Sequence, residues 1–308
     1  MLPDVLITQP QPKSCVEALK QHFTVHSLVG AADPDAVLAE VGPRIRGIAG
    51  GKVTGVMMAR MPQLELIAAS GVGVDSIDVA TAVARGIRVT NAPNVLNDAV
   101  AEIAIGLMLG LARRLPQADR FVREGGWRKG QYPLTRELKG KTLGILGLGA
   151  IGKEIAARAV ALKMAVAYFG RTEQAVPYRY YADLVALARD ADWLVVIAPG
   201  GKATEKIVSR QVLDALGPNG ALVNVARGSL VDQDALVALL TAGGLGGAAL
   251  DVFVGEPEVP EALLGLDNVV LSPHQGGRTV ESREAVGALV VANLVAHFSG
   301  QPLVSPVA

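Results

Sequence analysis

Gly147-Leu148-Gly149-Ala150-Ile151-Gly152 constrains this chain more than any other stretch. It follows the apolar run Leu143-Gly144-Ile145-Leu146 and precedes a helical pattern from Lys153 to Ala161. In such a turn the first glycine permits the tight reversal. The second lets the backbone approach a phosphate, and the third lets helix pack closely on strand. The helix N-terminus then offers unpaired N–H groups and positive partial charge to an anion. Alone, the pattern is weak and could be an ordinary glycine-rich turn. Between a buried strand and a helix it reads as a pyrophosphate site built from Gly147, Gly149, Ala150, Ile151 and Gly152, in a dinucleotide-binding domain.

The rest of the chain is consistent with that reading. Short β-branched runs alternate with helical patterns, which predicts an α/β fold with parallel sheets and crossover helices. Strand-like runs at Val5-Leu6-Ile7-Thr8, Ile45 to Ala49, Leu66-Ile67-Ala68 and Ile87-Arg88-Val89 make a first small unit, with helices over Val16 to His22 and Asp35 to Val41. A helix is expected from Asp98 to Leu115, with Asp98 as N-cap and Arg113-Arg114 in its last turn. Six further strand-like runs begin at Leu143, Ala165, Leu194, Ala221, Ala248 and Val269, predicting a six-stranded doubly wound sheet. A last helical pattern, Ser282 to Phe298, can return to the first unit. The expected division is therefore a discontinuous, flavodoxin-like substrate domain (1–97 plus 283–308) and a Rossmann dinucleotide-binding domain (98–282).

Composition narrows the function classes. With 50% hydrophobic and 19% charged residues among 308, the chain can build sizeable cores and is not disordered. Formal net charge is zero and no Lys/Arg block exists, so neither nucleic acid nor an anionic membrane is an expected partner. The single cysteine, Cys15, forms no internal disulfide and belongs to no metal-binding cluster; a buried, unreactive thiol is expected, and no metal. The N-terminus lacks a basic region followed by a long apolar run, and the apolar-rich stretch Ala99 to Ala112 contains Glu102 and is short for a membrane span. A cytoplasmic protein is expected.

Twenty-three residues beyond Gly147, where NAD-binding domains usually carry Asp or Glu for the adenosine ribose, the sequence reads Tyr168-Phe169-Gly170-Arg171-Thr172. A carboxylate there would repel a 2′-phosphate. Gly170 removes that repulsion, and the Arg171 guanidinium can pair with the phosphate. NADP(H) is therefore expected over NAD(H); a merely solvated Arg171 is the alternative.

Three polar residues follow the last three expected strands: Arg227 after Val223-Asn224-Val225-Ala226, Glu256 after Asp251-Val252-Phe253-Val254-Gly255, and His274 after Val269-Val270-Leu271-Ser272-Pro273. Ligands of open α/β sheets bind at the carboxyl ends of strands. His274 can donate a proton near working pH. Glu256 can orient the imidazole. Arg227 can clamp a carboxylate and polarise the adjacent carbonyl. Singly, each could be structural; together, in this order, they read as a ketone-reducing set. His22, His26 and His297 have no such setting, and surface or packing roles are expected for them.

These motifs, with Gly71-Val72-Gly73-Val74-Asp75, Thr90-Asn91-Ala92-Pro93-Asn94-Val95-Leu96 and Glu256-Pro257, resemble the D-isomer-specific 2-hydroxyacid dehydrogenases over essentially the whole chain. Within that family the chain is similar to NADPH-dependent glyoxylate and hydroxypyruvate reductases, including the hydroxyphenylpyruvate-reductase type. The resemblance implies a small 2-keto or 2-hydroxy acid as substrate, an interdomain active-site cleft and a homodimer. It implies that backbone N–H groups of Val72 and Gly73, with Arg227 and His274, hold the substrate. It implies that Asp251 meets the nicotinamide carboxamide and that Ala198, Pro199, Thr204, Val225, Ala226 and Gly276 lie along the cofactor. Gln275, Gly276-Gly277-Arg278-Thr279, Asn94 and Asn97 depart from the commoner family residues, which leaves the substrate side chain open. Lys52, in Gly50-Gly51-Lys52, could touch a polar substrate tail; a solvated loop lysine is the alternative. Another D-2-hydroxyacid dehydrogenase specificity, such as hydroxyphenylpyruvate reduction, and a non-enzymatic dinucleotide-sensing protein on the same fold are the other readings.

Overall fold

Twelve short strands, each feeding a helix or loop, make up the computed structural model, which describes residues 2–307. They divide into two sheets, both wholly parallel. The chain forms two compact units, Met1–Leu96 with Arg278–Ala308, and Asn97–Gly277.

In the first unit, β1 (Asp4–Ile7), β2 (Thr24–Ser27), β3 (Ile45–Ala49), β4 (Leu66–Ala68) and β5 (Arg88–Thr90) are ordered β2-β1-β3-β4-β5. That is a flavodoxin-like order whose direction reverses between β1 and β3. The strand absent from the sequence reading is β2. Its residues, Thr-Val-His-Ser, sit at the sheet edge, and none of them is buried. An edge strand has no need of the continuous apolar run by which central parallel strands are recognised. The helix Val280–Phe298 closes this unit. Its N-cap Thr279 accepts from the Ser282 amide in a capping box, and Val286, Val290 and Leu294 pack with Val5, Leu19 and Cys15. Burial pushes the Cys15 thiol up to about 11, so it is an unreactive core residue.

In the second unit, β6 (Thr142–Leu146), β7 (Ala165–Phe169), β8 (Arg179–Tyr181), β9 (Trp193–Val196), β10 (Ala221–Asn224), β11 (Gly247–Leu250) and β12 (Val269–Leu271) are ordered β12-β11-β10-β9-β6-β7-β8. This is the doubly wound order with its reversal between β6 and β9. Every residue of β9, β10 and β11 is buried, as expected of strands covered on both faces by helices. The sheet has seven strands, not six. The additional one, β8, is a three-residue edge strand, Arg-Tyr-Tyr, too short and polar to register as a strand pattern.

The helix expected from Asp98 to Leu115 is also revised. It runs Asn97–Ala112, and a second helix, Leu115–Arg123, starts after Arg114 in left-handed conformation (φ 50°). Pro116 explains the break, because its ring cannot follow a continuing helix and its nitrogen has no hydrogen to donate. Asp98 therefore lies in the first turn rather than at the cap. Arg113 and Arg114 lie past the helix end, with Arg114 Nη2 3.4 Å from Asp267 Oδ2. Among the described residues, no helix is long and apolar enough to cross a membrane.

Candidate active site

The glycine turn leaves β6 and enters the helix Ala150–Ala161. Gly147 has φ +102°, and a Cβ there would lie 3.0 Å from Ala198 Cα. A Cβ at Gly152 would lie 2.2 Å from the Gly147 carbonyl oxygen, so only glycine lets the helix seat on the turn. At Gly149 the opposite holds, since nothing lies within 4 Å of the position a Cβ would take. No side chain caps this helix. The turn thus presents an open, uncapped helix N-terminus at the point where the strand order reverses, and these residues fit a pyrophosphate. Ala198 and Pro199 follow β9 across that reversal. Thr204 fixes the loop they begin, its Oγ1 donating to the Pro199 carbonyl at 2.8 Å and lying 3.1 Å from that of Gly201.

At the end of β7 the chain turns outward through Gly170, Arg171 and Thr172. Arg171 and Thr172 are exposed, and no side-chain partner holds the Arg171 guanidinium among the described residues. The loop itself is fixed. The Gln174 amide N–H donates to Tyr168 Oη at 2.7 Å, its side chain donates to the Leu148 carbonyl at 3.0 Å, and Tyr180 Oη donates to the Gly170 carbonyl at 3.3 Å. These bonds hold the loop carrying Arg171 to the glycine turn.

Asn224 ends β10 and shapes the loop that follows. Its amide donates to the Arg227 carbonyl at 2.9 Å, and its oxygen accepts from the Ala226 amide at 3.1 Å. Val225 and Ala226 are buried there, and Arg227 is extended (φ −142°, ψ 144°), with Nη1 donating to the Ala226 carbonyl at 2.7 Å.

Glu256 and His274 come together. His274 Nδ1 lies 2.6 Å from Glu256 Oε2, while Glu256 Oε1 accepts from the Phe253 amide at 3.0 Å. An ionised carboxylate only accepts, so Nδ1 carries the hydrogen, and Nε2 is left as the ring nitrogen able to exchange a proton. The imidazole is aimed by its backbone: His274 has φ +50°, and its N–H donates to the Asp251 carbonyl at 2.8 Å and the Ser272 carbonyl at 3.1 Å. Non-glycine residues in this conformation are uncommon and gather at functional sites.

Asp251 has a role that sequence reading did not anticipate. It is 1% exposed. Its Oδ1 accepts from Ser272 Oγ at 2.6 Å and the Gln275 amide at 2.9 Å, and its Oδ2 accepts from the Gly276 amide at 2.9 Å. One carboxylate thus ties down the loop 272–276 that carries His274. Asp251→Ala should lower the unfolding free energy by about 3 kcal/mol, because three donors lose their acceptor. A denaturant titration checks this; a loss below about 1 kcal/mol would mean that the loop is held otherwise.

The first unit supplies a separate anion-binding candidate in the loop after β4. Val72 is partly exposed and Gly73 exposed, and neither amide N–H has an acceptor among the described residues. Asn91 Nδ2 donates to the Val72 carbonyl at 2.8 Å and fixes the loop's orientation. The other histidines are structural. His26 Nε2 lies 2.7 Å from Asp4 Oδ1, His297 Nε2 lies 3.2 Å from Glu65 Oε2, and His22 is exposed with its ring beside Phe23.

The chain matches known proteins along nearly its full length. Residues 105–276 match the model of the D-isomer specific 2-hydroxyacid dehydrogenase NAD-binding domain. The glyoxylate/hydroxypyruvate reductase A HPR2 of Arabidopsis thaliana is 45% identical, covering 98% of both chains. The hydroxyphenylpyruvate reductase of Plectranthus scutellarioides is 47% identical over 88% of both. Among solved structures, the NADPH-dependent glyoxylate/hydroxypyruvate reductase of Sinorhizobium meliloti, in complex with NADP and malonate, superposes with a TM-score of 0.95 at 44% identity, covering 100% of this chain and 97% of that one.

Proposed function

The chain belongs to the D-isomer-specific 2-hydroxyacid dehydrogenases, and from that membership we propose an NADPH-preferring reductase of small 2-keto acids, with glyoxylate and hydroxypyruvate as substrates. That it is an oxidoreductase with a nicotinamide-dinucleotide domain follows from the family. Substrate and cofactor preference are the proposal.

The observation that carries it is the His274–Glu256 pair at 2.6 Å, with His274 on the loop fixed by Asp251. A nicotinamide dinucleotide held at the glycine turn would supply the hydride for the keto carbon. His274 Nε2–H gives the proton to the carbonyl oxygen, so glyoxylate, NADPH and H⁺ become glycolate and NADP⁺. Glu256 fixes the tautomer, and Arg227 holds the carboxylate and polarises the carbonyl. The free amides of Val72 and Gly73 are proposed as further carboxylate donors. Gly147, Gly149, Ala150, Ile151 and Gly152 would hold the pyrophosphate, Gly170, Arg171 and Thr172 the 2′-phosphate, and Ala198, Pro199, Thr204, Val225, Ala226 and Gly276 the remaining length of the cofactor. A contact from Asp251 to the carboxamide would use lone pairs left over from its three loop bonds. Assembly as a homodimer belongs to the same proposal; Trp127 and Leu134, 68% and 100% exposed, offer apolar surface for it.

Two relatives speak for these preferences: the Sinorhizobium meliloti enzyme, which is NADPH-dependent and was crystallised with NADP, and the Arabidopsis reductase. The test is kcat/KM for glyoxylate, hydroxypyruvate and hydroxyphenylpyruvate with each cofactor. The expected result is highest values for the two small acids with NADPH. An NADH preference, or higher values for the aromatic acid, would sink the reading.

A further inference from the structure

Lys52 is the residue of the first unit that the proposed chemistry leaves unused. It lies in the loop after β3, and the strand order reverses between β1 and β3. Ligands of doubly wound sheets bind outside the carboxyl ends of the strands at such a reversal. Four bonds fix this loop. Gly50 N–H donates to the Ala68 carbonyl at 2.9 Å, Thr8 Oγ1 donates to the Gly51 carbonyl at 2.9 Å, and Lys52 and Val53 N–H donate to Ser76 Oγ at 3.3 Å and the Ser76 carbonyl at 3.1 Å. Ser76 ends the loop that carries the unpaired Val72 and Gly73 amides. Lys52 and its neighbour Val53 are thus tied, by one bond each, to the candidate carboxylate-binding loop.

Its backbone and its charge are both unusual. Lys52 has φ +57°, a conformation rare for residues other than Gly, Asn and Asp, and a lysine there costs stability that glycine would not. It is exposed, and no carboxylate among the described residues pairs with its ammonium. The left-handed residue is therefore an exposed, uncompensated cation in the loop beyond the carboxyl end of β3.

We infer that Lys52 recognises an anionic group on the far end of the substrate, so that the enzyme also reduces 2-keto dicarboxylic acids, in preference to keto acids of equal length with an uncharged tail. The inference rests on the reductase reading above. With 2-ketoglutarate the balance is 2-ketoglutarate, NADPH and H⁺ to 2-hydroxyglutarate and NADP⁺, the C2 carbon taking the hydride and its oxygen the proton. The tail carboxylate takes no part in the chemistry and is held by charge alone.

The experiment compares kcat/KM for 2-ketoglutarate and 2-ketovalerate, with glyoxylate as tailless reference. One ion pair near the protein surface should give the natural chain a preference for 2-ketoglutarate of about tenfold. Lys52→Gln and Lys52→Gly should abolish that ratio, and Lys52→Arg should keep it. The glycine variant also relieves the φ, so a folding defect cannot account for the loss. Added salt should shrink the preference in the natural chain, because an exposed pair is screened. Glyoxylate reduction with no 2-ketoglutarate preference, or a ratio that Lys52→Gln leaves intact, overturns the inference and spares the reductase reading. A blank with every keto acid, glyoxylate and hydroxypyruvate included, overturns both.

Discussion

His274→Ala should lower kcat for glyoxylate by roughly 10²-fold or more, the usual scale of a positioned general acid, while NADPH still binds. The size follows from how few groups can do the work. Glu256 is occupied on both oxygens, by His274 Nδ1 at 2.6 Å and the Phe253 amide at 3.0 Å, and as a carboxylate it has no proton to give. A guanidinium does not give up a proton in proteins, so Arg227 is no candidate for the acid. That leaves the Nε2–H of the imidazole. Its direction is set by a left-handed backbone and by two carbonyls that receive its N–H, so another residue type would not restore it. Glu256→Gln should cost less, roughly tenfold, because an amide oxygen can still accept from Nδ1. The measurements are steady-state kcat and a fluorescence titration of NADPH binding. If His274→Ala retains more than about a tenth of the native turnover with binding intact, the acid is another group and the assignment fails.

Much of this arrangement was legible in the sequence, and the exceptions have physical causes. The central strands are visible because both of their faces are buried: β9 and β10 read Trp-Leu-Val-Val and Ala-Leu-Val-Asn, without an exposed position. The edge strands β2 and β8 are not visible, since a half-exposed strand tolerates Thr, His, Ser and Arg. The break at Ala112 was signalled by Pro116, which a search for apolar periodicity passes over. In the proposed site, Arg227, Glu256 and His274 are picked out by residue type and by their place after strands, a rule of topology rather than of contact, and the observed geometry joins His274 to Glu256. That rule says nothing of the residues supporting them. Asp251 looks like one more strand-end acid, yet three donors 21, 24 and 25 residues downstream converge on it. Ser272, one of those donors, carries no signal at all. The positive φ of Lys52 and His274 is equally silent, because neither residue type announces a left-handed backbone. Glycine does so, and Gly147 was recognised for that reason.

Gly170→Asp should reverse the cofactor preference, cutting kcat/KM for NADPH by about 10²-fold and leaving NADH unchanged or improved. The case turns on why position 170 is glycine. The backbone does not require it, since its φ lies outside the left-handed range and a Cβ would meet only the Thr172 carbonyl at an ordinary 3.9 Å. Gly147 and Gly152, by contrast, are forced by close approach. Position 170 thus has room for a side chain, at the strand end beside which the ribose of a dinucleotide lies in such domains. Aspartate there fits without strain, accepts from two ribose hydroxyls and repels a 2′-phosphate. Repulsion and lost Arg171 pairing together are worth about 3 kcal/mol near a protein surface, and each 1.4 kcal/mol is a factor of ten. Arg171→Ala should remove only the attraction, lowering kcat/KM for NADPH about tenfold with no change for NADH. The two variants therefore separate the effects, because one adds a repulsive charge and the other removes an attractive one. If Gly170→Asp weakens NADPH and NADH alike, the loop tolerates no side chain, and the glycine is structural after all. If neither variant shifts the ratio, Arg171 is a solvated surface arginine and the 2′-phosphate is recognised elsewhere.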